Sequence, residues 1–155
     1  MQRERQSAMR QRGAAVVEFA LVLPVVLLVL FGAVQFGWLM NNYLLLTNAA
    51  SVGAHLLASE RGYATPYSDT ETAVLAATAT LKNTVAITIA VGGTTCTSNT
   101  ACASALGTQT QPPTAGTQAS VSLSYAFAGP FKGALYSLKS MMPTSLSATM
   151  SELVQ

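Results

Sequence analysis

Charged residues are scarce in this sequence. Asp, Glu, Lys and Arg together make up 9% of its 155 residues, whereas ordinary soluble proteins hold roughly 25%. Hydrophobic residues reach 50%, so the chain is poor in the charge that keeps a protein surface soluble. This composition favours a membrane protein. The basic residues beyond Arg61 are only Lys82, Lys132 and Lys139, widely spaced, so we expect no nucleic-acid partner.

Residues that carry chemistry are also few. His55 is the only histidine, and the sequence has no Gly-x-Ser-x-Gly elbow, phosphate-binding glycine loop or His-Glu-x-x-His pair. Two cysteines and one distant histidine make a poor metal site. We therefore expect neither an enzyme nor a metal or other cofactor. His55 itself is expected to be a structural residue, buried or half-exposed.

A long apolar run is present near the N-terminus. Residues 19–34 are apolar apart from Pro24 and Gly32, and apolar flanks extend the run to residues 14–40. Because about 20 helical residues cross the ~30 Å hydrocarbon core of a bilayer, the sequence predicts a transmembrane helix over residues 14–40, in contact with membrane lipid. A cleaved signal peptide would have an apolar core of about 7–15 residues and a small-residue cleavage site. This run is longer and has no persuasive site of that kind.

Charge is distributed unevenly about the apolar run. Residues 1–13 hold four arginines against one glutamate, and the next charge after the run is Glu60. The positive-inside rule therefore predicts a single-pass protein with a basic cytoplasmic leader, residues 1–13, and an exported C-terminal part. Trp38 and Tyr43 are expected to be anchors at the membrane interface.

Beyond the membrane segment, the pattern predicts a helical stalk over residues 41–60, ended by Gly62 and Pro66, and an exported domain over residues 61–155. Polar and apolar residues interleave in the stalk, as in a helix packed on its own domain. The apolar residues expected at that contact are Leu44, Leu45, Ala49, Val52 and Leu56. Alanines at four-residue spacing, Ala50, Ala54 and Ala58, fit either contact with another helix or packing within the chain.

The exported domain has the pattern of a small α+β fold. Residues 68–71, Ser-Asp-Thr-Glu, have the spacing of a capping box, which predicts a second helix continuing to about Asn83. Alternating apolar residues predict three strands, around residues 85–91, 121–127 and 146–150. A sheet with one apolar face needs a cover. We therefore predict a long N-terminal helix and a second helix packed on a small antiparallel sheet of about three strands.

A loop without charge separates the first two predicted strands. Residues 92–118 are rich in Gly, Thr, Ser, Ala and Pro, and loops of this length are usually functional or disordered. Cys96 and Cys102 lie inside it, and in an exported domain we expect them to form a disulfide. Because the closed loop is short, the expected stabilisation is at the low end of about 2–4 kcal/mol.

Glu18 is an acidic residue inside the apolar run. Insertion scales assign about 2.5–3.5 kcal/mol to an acidic residue in the middle of a membrane, and less near the interface. The chemistry leaves two interpretations open. In the first, Glu18 lies in the head-group region and stays hydrated. In the second, it meets a cationic partner inside a bundle of helices.

The residues before Glu18 form a motif. A basic leader ends at Gly13, and Glu18 is the fifth residue after it, followed by an aromatic residue and the apolar helix. This order resembles the prepilin-peptidase site of type IV pilins. Together with Phe36-Gly37 and the run Thr47–Ala54, it resembles the TadE family of pilin-like proteins. The resemblance is dense over residues 13–58, and only the layout agrees over most of the remainder.

Two further segments bear on this resemblance. Residues 146–152 resemble the closing strand of the family. The family often has Arg-x-Gly-Ala-Arg where this chain has Ser51-Val-Gly-Ala-His55, so a role of those arginines does not carry over.

The resemblance implies a pilin-like minor subunit that joins, primes or caps a Tad (Flp) tight-adherence pilus. A prepilin peptidase would cleave between Gly13 and Ala14, and Glu18 would neutralise the new α-amino group at Ala14 of a neighbouring subunit. The implied partners are that peptidase, other pilin-like subunits and the Tad assembly machinery. The implied location is the bacterial inner membrane, with a periplasmic domain, or an extracellular pilus after assembly.

Two alternatives remain open from the sequence. One is an unprocessed inner-membrane scaffold of the Tad secretion system. The other is a membrane-anchored periplasmic binding module that grips a ligand with the loop 92–118.

Overall fold

The structure, a computed structural model, describes residues 2–129 and 143–155, with side chains from residue 16 onward. The chain divides into two compact units, one up to Trp38 and one over Leu39–Gln155. The described elements are α1 (Gln2–Ser59), α2 (Pro66–Ala77), β1 (Val85–Val91), β2 (Thr94–Cys96), α3 (Asn99–Leu106), β3 (Gln118–Ala126) and β4 (Ser145–Leu153).

The first unit is the N-terminal part of α1. From Val16 onward this helix is long and apolar enough to cross a membrane, since its most apolar stretch has a mean hydropathy of 2.7 and is 0% buried. Leu21 and Leu28, for example, are 73% and 61% exposed. Pro24 lies inside the helix, which continues through it. By length and composition, one N-terminal helix is therefore consistent with a single-pass membrane protein.

The second unit is built on one antiparallel sheet with the strand order β2-β1-β3-β4. β1 pairs with β3 over its whole length. β3 and β4 pair in an unbroken register from Gln118 opposite Leu153 to Ala126 opposite Ser145. The α+β prediction is confirmed, and β1, β3 and β4 are the three strands that the alternating residues predict.

The hydrophobic core lies between one face of the sheet and the helices. Alternate residues of each long strand point into it, among them Ile89, Leu123 and Leu146. Helix residues that are 0% exposed complete it: Leu46, Ala49, Ala50, Ala54, Leu57, Ala58, Val74 and Leu106. Burial of this apolar surface is the main favourable contribution to folding of the domain.

Small residues allow α1 to approach the rest of the domain closely. A Cβ atom at Gly53 would lie 2.6 Å from Cγ2 of Val74 and 3.4 Å from Cγ1 of Val121. The three alanines at four-residue spacing are 0% exposed: Ala50, Ala54 and Ala58. Of the two interpretations of these alanines, packing within the chain is therefore the one that the fold adopts.

The buried face of α1 agrees only in part with the predicted one: Ala49 is buried as predicted, and Leu45 and Leu56 are half-buried. Leu44 and Val52 are 56% and 42% exposed, whereas Leu46 and Leu57 are fully buried. The helix does end close to the predicted position, at Ser59. Because apolar residues occur all round this segment, periodicity alone does not select a face. The surfaces that pack against the helix select it.

The predicted long loop 92–118 instead begins with a hairpin. Gly92 and Gly93, with φ of 60° and 80°, connect Val91 to Thr94, which pair with each other. Positive φ at both central residues is the requirement of a tight two-residue hairpin turn, and glycine meets it without steric strain. This turn adds β2 as a fourth strand at the edge of the sheet.

A short helix, α3, occupies the middle of the same segment. Its N-cap is Ser98, whose Oγ accepts a hydrogen bond of 3.2 Å from the N–H of Ala101. The helix ends at Leu106, and Gly107, with φ of 75°, is its C-cap. The small and polar residues of the segment predict a loop. Local capping and the buried Leu106 nevertheless order it as a helix.

The helix α2 begins earlier than the predicted capping box. Pro66 is its first residue and Thr65 is at the N-cap position, so Ser68 lies inside the first turn. Proline is favoured at the first helical position because the missing N–H would be unpaired there in any case. The helix also ends earlier than predicted, at Ala77 rather than near Asn83.

Candidate functional site

Glu18 lies within the part of α1 that can span a membrane. It is exposed, and its neighbours Val17 and Phe19 are 61% and 64% exposed. Among residues 16–129 and 143–155 it has no hydrogen-bond or ion-pair partner. A carboxylate in an apolar stretch needs either water or a cation. The described side chains of this chain supply no such cation, so a paired state of Glu18 requires another group.

The predicted processing site, Gly13 and Ala14, lies in the N-terminal part of α1. The side chains of these two residues are outside the described ones. The helix extends back to Gln2, so the backbone of the leader is continuous with the apolar helix. Ala14 and Glu18 are four positions apart, which is about one helical turn.

At the other end of α1, a side-chain hydrogen bond joins the helix to β4. Nδ1 of His55 lies 2.9 Å from Oε2 of Glu152. The two side chains are 67% and 38% exposed. His55 is thus a structural residue, although it is exposed rather than buried or half-exposed as predicted.

The predicted disulfide between Cys96 and Cys102 is confirmed, with an S–S distance of 1.98 Å. It joins the end of β2 to α3, and the two cysteines are 4% and 0% exposed. The bond therefore belongs to the core of the domain, rather than only ordering an exposed loop tip.

An open cavity of about 520 Å³ lies beside this disulfide, between β2, α3 and the segment before β3. Its lining holds no charged side chain, and five hydroxyl groups offer hydrogen-bond donors and acceptors: Thr94, Thr95, Ser104, Thr114 and Thr117. In the described part of the chain, no group of three or more His, Cys, Asp or Glu residues could hold a metal ion.

A buried acidic residue follows α1, and no sequence pattern marks it as buried. Glu60 is 7% exposed, and its Oε2 and the Nε of Arg61 have no hydrogen-bond partner among the described residues. Burial, and to a smaller extent the carboxylate of Asp69, raises the pKa of Glu60 above its usual value. The sequence shows its place as the first charge after the apolar run, but not its burial.

This chain combines three features. It has an N-terminal helix apolar enough to span a membrane, an acidic residue near the start of that helix, and a small disulfide-bonded α+β domain. The model of the TadE family, described as TadE-like protein, matches residues 13–55. The resemblance is therefore confirmed over this segment, and it indicates a pilin-like protein associated with Tad pili. No curated protein and no solved structure matches the chain.

Proposed function

We propose that this protein is a minor pilin-like subunit of a Tad (Flp) pilus. In this proposal, a prepilin peptidase cleaves the chain after Gly13. The processed subunit then takes part in assembly, priming or capping of the pilus. The observation that carries the proposal is the start of the family match, which coincides with Gly13. The match therefore includes Glu18 and the apolar helix but not the basic leader.

Cleavage after Gly13 would create an α-amino group at Ala14, and such groups are largely protonated at neutral pH. In the proposed assembly, this cation of one subunit neutralises the Glu18 carboxylate of its neighbour. Two opposite charges among apolar helices offset part of each other's desolvation, whereas a wrong axial stagger leaves a bare carboxylate in an apolar layer. Glu18 would thereby set the register between neighbouring helices.

The proposed orientation places the N-terminus in the cytoplasm and the disulfide-bonded domain in the periplasm. The four arginines before Gly13 support this orientation through the positive-inside rule. The disulfide of Cys96 and Cys102 supports an oxidising compartment for the domain. The partners would be the peptidase, other pilin-like subunits and the Tad assembly machinery. The protein would act by assembly rather than by catalysis.

The test is the mass of the N-terminus. The full chain is expressed with and without a functional prepilin peptidase, and the membrane-extracted protein is measured by intact mass spectrometry. We expect a chain that begins at Ala14, only when the peptidase is present. Gly13→Val should keep the leader. Gly37→Ala is the matched control, because a Cβ at Gly37 meets nothing within 4 Å. An intact leader in both strains would overturn the proposal.

Glu18→Gln then tests assembly separately from processing. The variant removes the charge at nearly constant shape, so we expect normal cleavage and loss of the protein from sheared pili. Glu71→Gln removes a charge from α2 of the domain and should leave incorporation unchanged. The result that would instead support the inner-membrane scaffold is an unprocessed chain that stays in the membrane. Glu18→Gln would then not change how the protein divides between membrane and sheared pili.

The cavity beside the disulfide favours a second candidate function, a membrane-anchored binding module for an uncharged ligand. Soluble oligomers of N-acetylglucosamine, the uncharged sugar of cell-wall glycan, are the probe, added to the detergent-extracted full chain. Binding should be lost in Ser104→Trp, which fills the cavity, and kept in Glu18→Gln. If the probe binds equally to the Ser104→Trp variant, the cavity is not the binding site.

A further inference from the structure

The two edges of the sheet are protected to very different degrees. The edge strand β2 has three residues, and a disulfide ties its last residue, Cys96, to α3. The opposite edge strand, β4, has nine residues without proline, and its register with β3 is unbroken by any bulge. Native sheets usually protect an exposed edge by shortness, charge, proline or a bulge. β4 carries one charge, Glu152, which is engaged with His55.

The backbone of β4 presents a row of polar groups away from the sheet. The N–H of Phe127 donates to the carbonyl of Thr144, and the N–H of Val154 donates to the carbonyl of Thr117. The even-numbered residues of this segment therefore direct their backbone N–H and C=O groups toward β3. Because successive residues of a strand direct their backbone groups to opposite sides, the odd-numbered residues face outward. These are Ser145, Ser147, Thr149, Ser151 and Leu153. Within residues 2–129 and 143–155, no backbone group bonds to this outward row.

From this edge we infer that β4 pairs antiparallel with β4 of a second copy of this chain, which joins the two sheets into one. The inference does not depend on the proposed role in a pilus. An extended strand is the occupant that satisfies N–H and C=O groups repeating every second residue. The register that pairs all nine residues places Thr149 opposite Thr149 of the second copy.

That register is self-complementary in charge. Glu152 is the only charged residue of β4, and it lies opposite Leu146 of the second copy, so no like charges meet across the new edge. Ser147 lies opposite Ser151 of the second copy. Small hydroxyl side chains at these positions neither crowd the second strand nor repel it.

The face of the sheet opposite the hydrophobic core also carries small, uncharged side chains next to this edge. Three cross-strand rows cover it, namely Ala86-Ser124-Ser147, Thr88-Ser122-Thr149 and Ala90-Ser120-Ser151. Thr149 Oγ1 donates to Ser122 Oγ at 3.0 Å, which ties β4 to its neighbour on this face. A second sheet can therefore extend this face without bringing charges of one sign together.

The test is a site-directed crosslink in the full chain. The two native cysteines are paired with each other, so an introduced cysteine reports alone. Directly opposite residues of a hydrogen-bonded antiparallel pair have Cα atoms about 5.5 Å apart, within the roughly 4.4–6.8 Å that a disulfide spans. We therefore expect Thr149→Cys to give an oxidant-dependent homodimer in membranes. Ser124→Cys, on the same face of the interior strand β3, is the matched control and should remain monomeric.

A second set of variants tests the register and the backbone pairing. Ser147→Cys and Ser151→Cys should crosslink to each other in differently tagged chains, but Ser147→Cys should not crosslink to itself. Ser147→Pro removes an outward N–H without removing a bond to β3, so it should abolish the crosslink of Thr149→Cys. Retention of the Cys96–Cys102 disulfide against mild reductant shows that each variant is folded.

Each other outcome overturns the inference. If the thiol introduced by Thr149→Cys reacts freely with maleimide and gives no dimer, the edge is unoccupied. If that thiol is protected without dimer formation, or crosslinks to a different protein, another segment or partner covers β4.

Discussion

His55 of α1 and Glu152 of β4 are separated by 97 positions in the sequence, and their side chains meet at 2.9 Å between Nδ1 and Oε2. The pair joins the last turns of the long helix to the last strand of the sheet. The N–H of Gln155 donates to the carbonyl of Ala58 at 3.1 Å and reinforces the same junction. The C-terminus of the domain is therefore held against the end of α1.

The contact between His55 and Glu152 is expected to contribute little to stability. Both side chains are substantially exposed, and exposed pairs typically contribute roughly 0.2–1 kcal/mol. A double-mutant cycle of His55→Ala and Glu152→Ala, read by thermal unfolding of the detergent-solubilised chain, should give a coupling within that range. A coupling well above this range would mean that the pair is buried by a partner in the assembled protein.

Gly53 is predicted to be the least substitutable residue on the buried face of α1. In Gly53→Ala the new Cβ would lie 2.6 Å from Cγ2 of Val74, so the helices must separate or Val74 must move. Overpacking of this kind typically costs about 1–3 kcal/mol. Thermal unfolding should show this loss in Gly53→Ala and none in Gly37→Ala. In the background of Val74→Ala, the stability loss caused by Gly53→Ala should be smaller. If the losses of the two single variants simply add in the double variant, the contact between residue 53 and Val74 is not the cause.

Glu60 is predicted to make stability depend on pH. Its pKa is raised in the folded state, above the ordinary value of 4.5, by burial first and by Asp69 second. A raised folded-state pKa contributes stability that is fully present below about pH 4.5 and is lost as the pH rises through the raised value. The temperature midpoint of unfolding of the unmodified chain should therefore fall as the pH rises through that range. The Glu60→Gln variant should lack this part of the pH dependence and be at least as stable at neutral pH.

Asp69→Asn separates the two causes at Glu60. It removes the nearby negative charge but leaves the burial, so the pH dependence should weaken without vanishing. If Asp69→Asn abolished the dependence entirely, charge repulsion rather than burial would be the main cause.

Reduction of the disulfide is predicted to loosen α3 and β2 together. The bond closes a short loop, for which the chain-entropy estimate is about 2 kcal/mol. The double variant Cys96→Ser/Cys102→Ser should lose about that much stability and expose α3 to proteolysis, while the rest of the sheet stays protected. Reductant should lower the midpoint of the unmodified chain and leave the double variant unchanged. Because both cysteines are buried, slow reduction is expected under native conditions.

The three long strands are predictable because a half-buried antiparallel strand alternates with a period of two residues. Ile87 and Ile89, or Val121 and Leu123, show that alternation within a few positions of each other. The hairpin at Gly92-Gly93 also has a local signal, since two glycines between a strand and a Thr-rich run predict a tight turn. The composition of residues 92–118 favours a loop and conceals that signal.

Other features have no local signal. The burial of Glu60 and the choice of Leu46 over Leu44 as a core residue depend on what packs against α1. An apolar helix that faces both a membrane and a domain is hydrophobic on several sides, so its sequence does not select a contact face. The motif around Gly13 and Glu18 is recognisable in the sequence, but no described side chain of this chain is a partner for Glu18.

Four features are readable from the amino-acid sequence because each depends on residues close together in the chain: the apolar helix long enough to span a membrane, the charge asymmetry across it, the strand alternation and the TadE-like pattern. Three others follow from the fold alone. Gly53 packs against Val74, His55 pairs with Glu152, and β4 lies at an edge of the sheet. These contacts join segments far apart in sequence, and they form only when burial of the shared core brings those segments together.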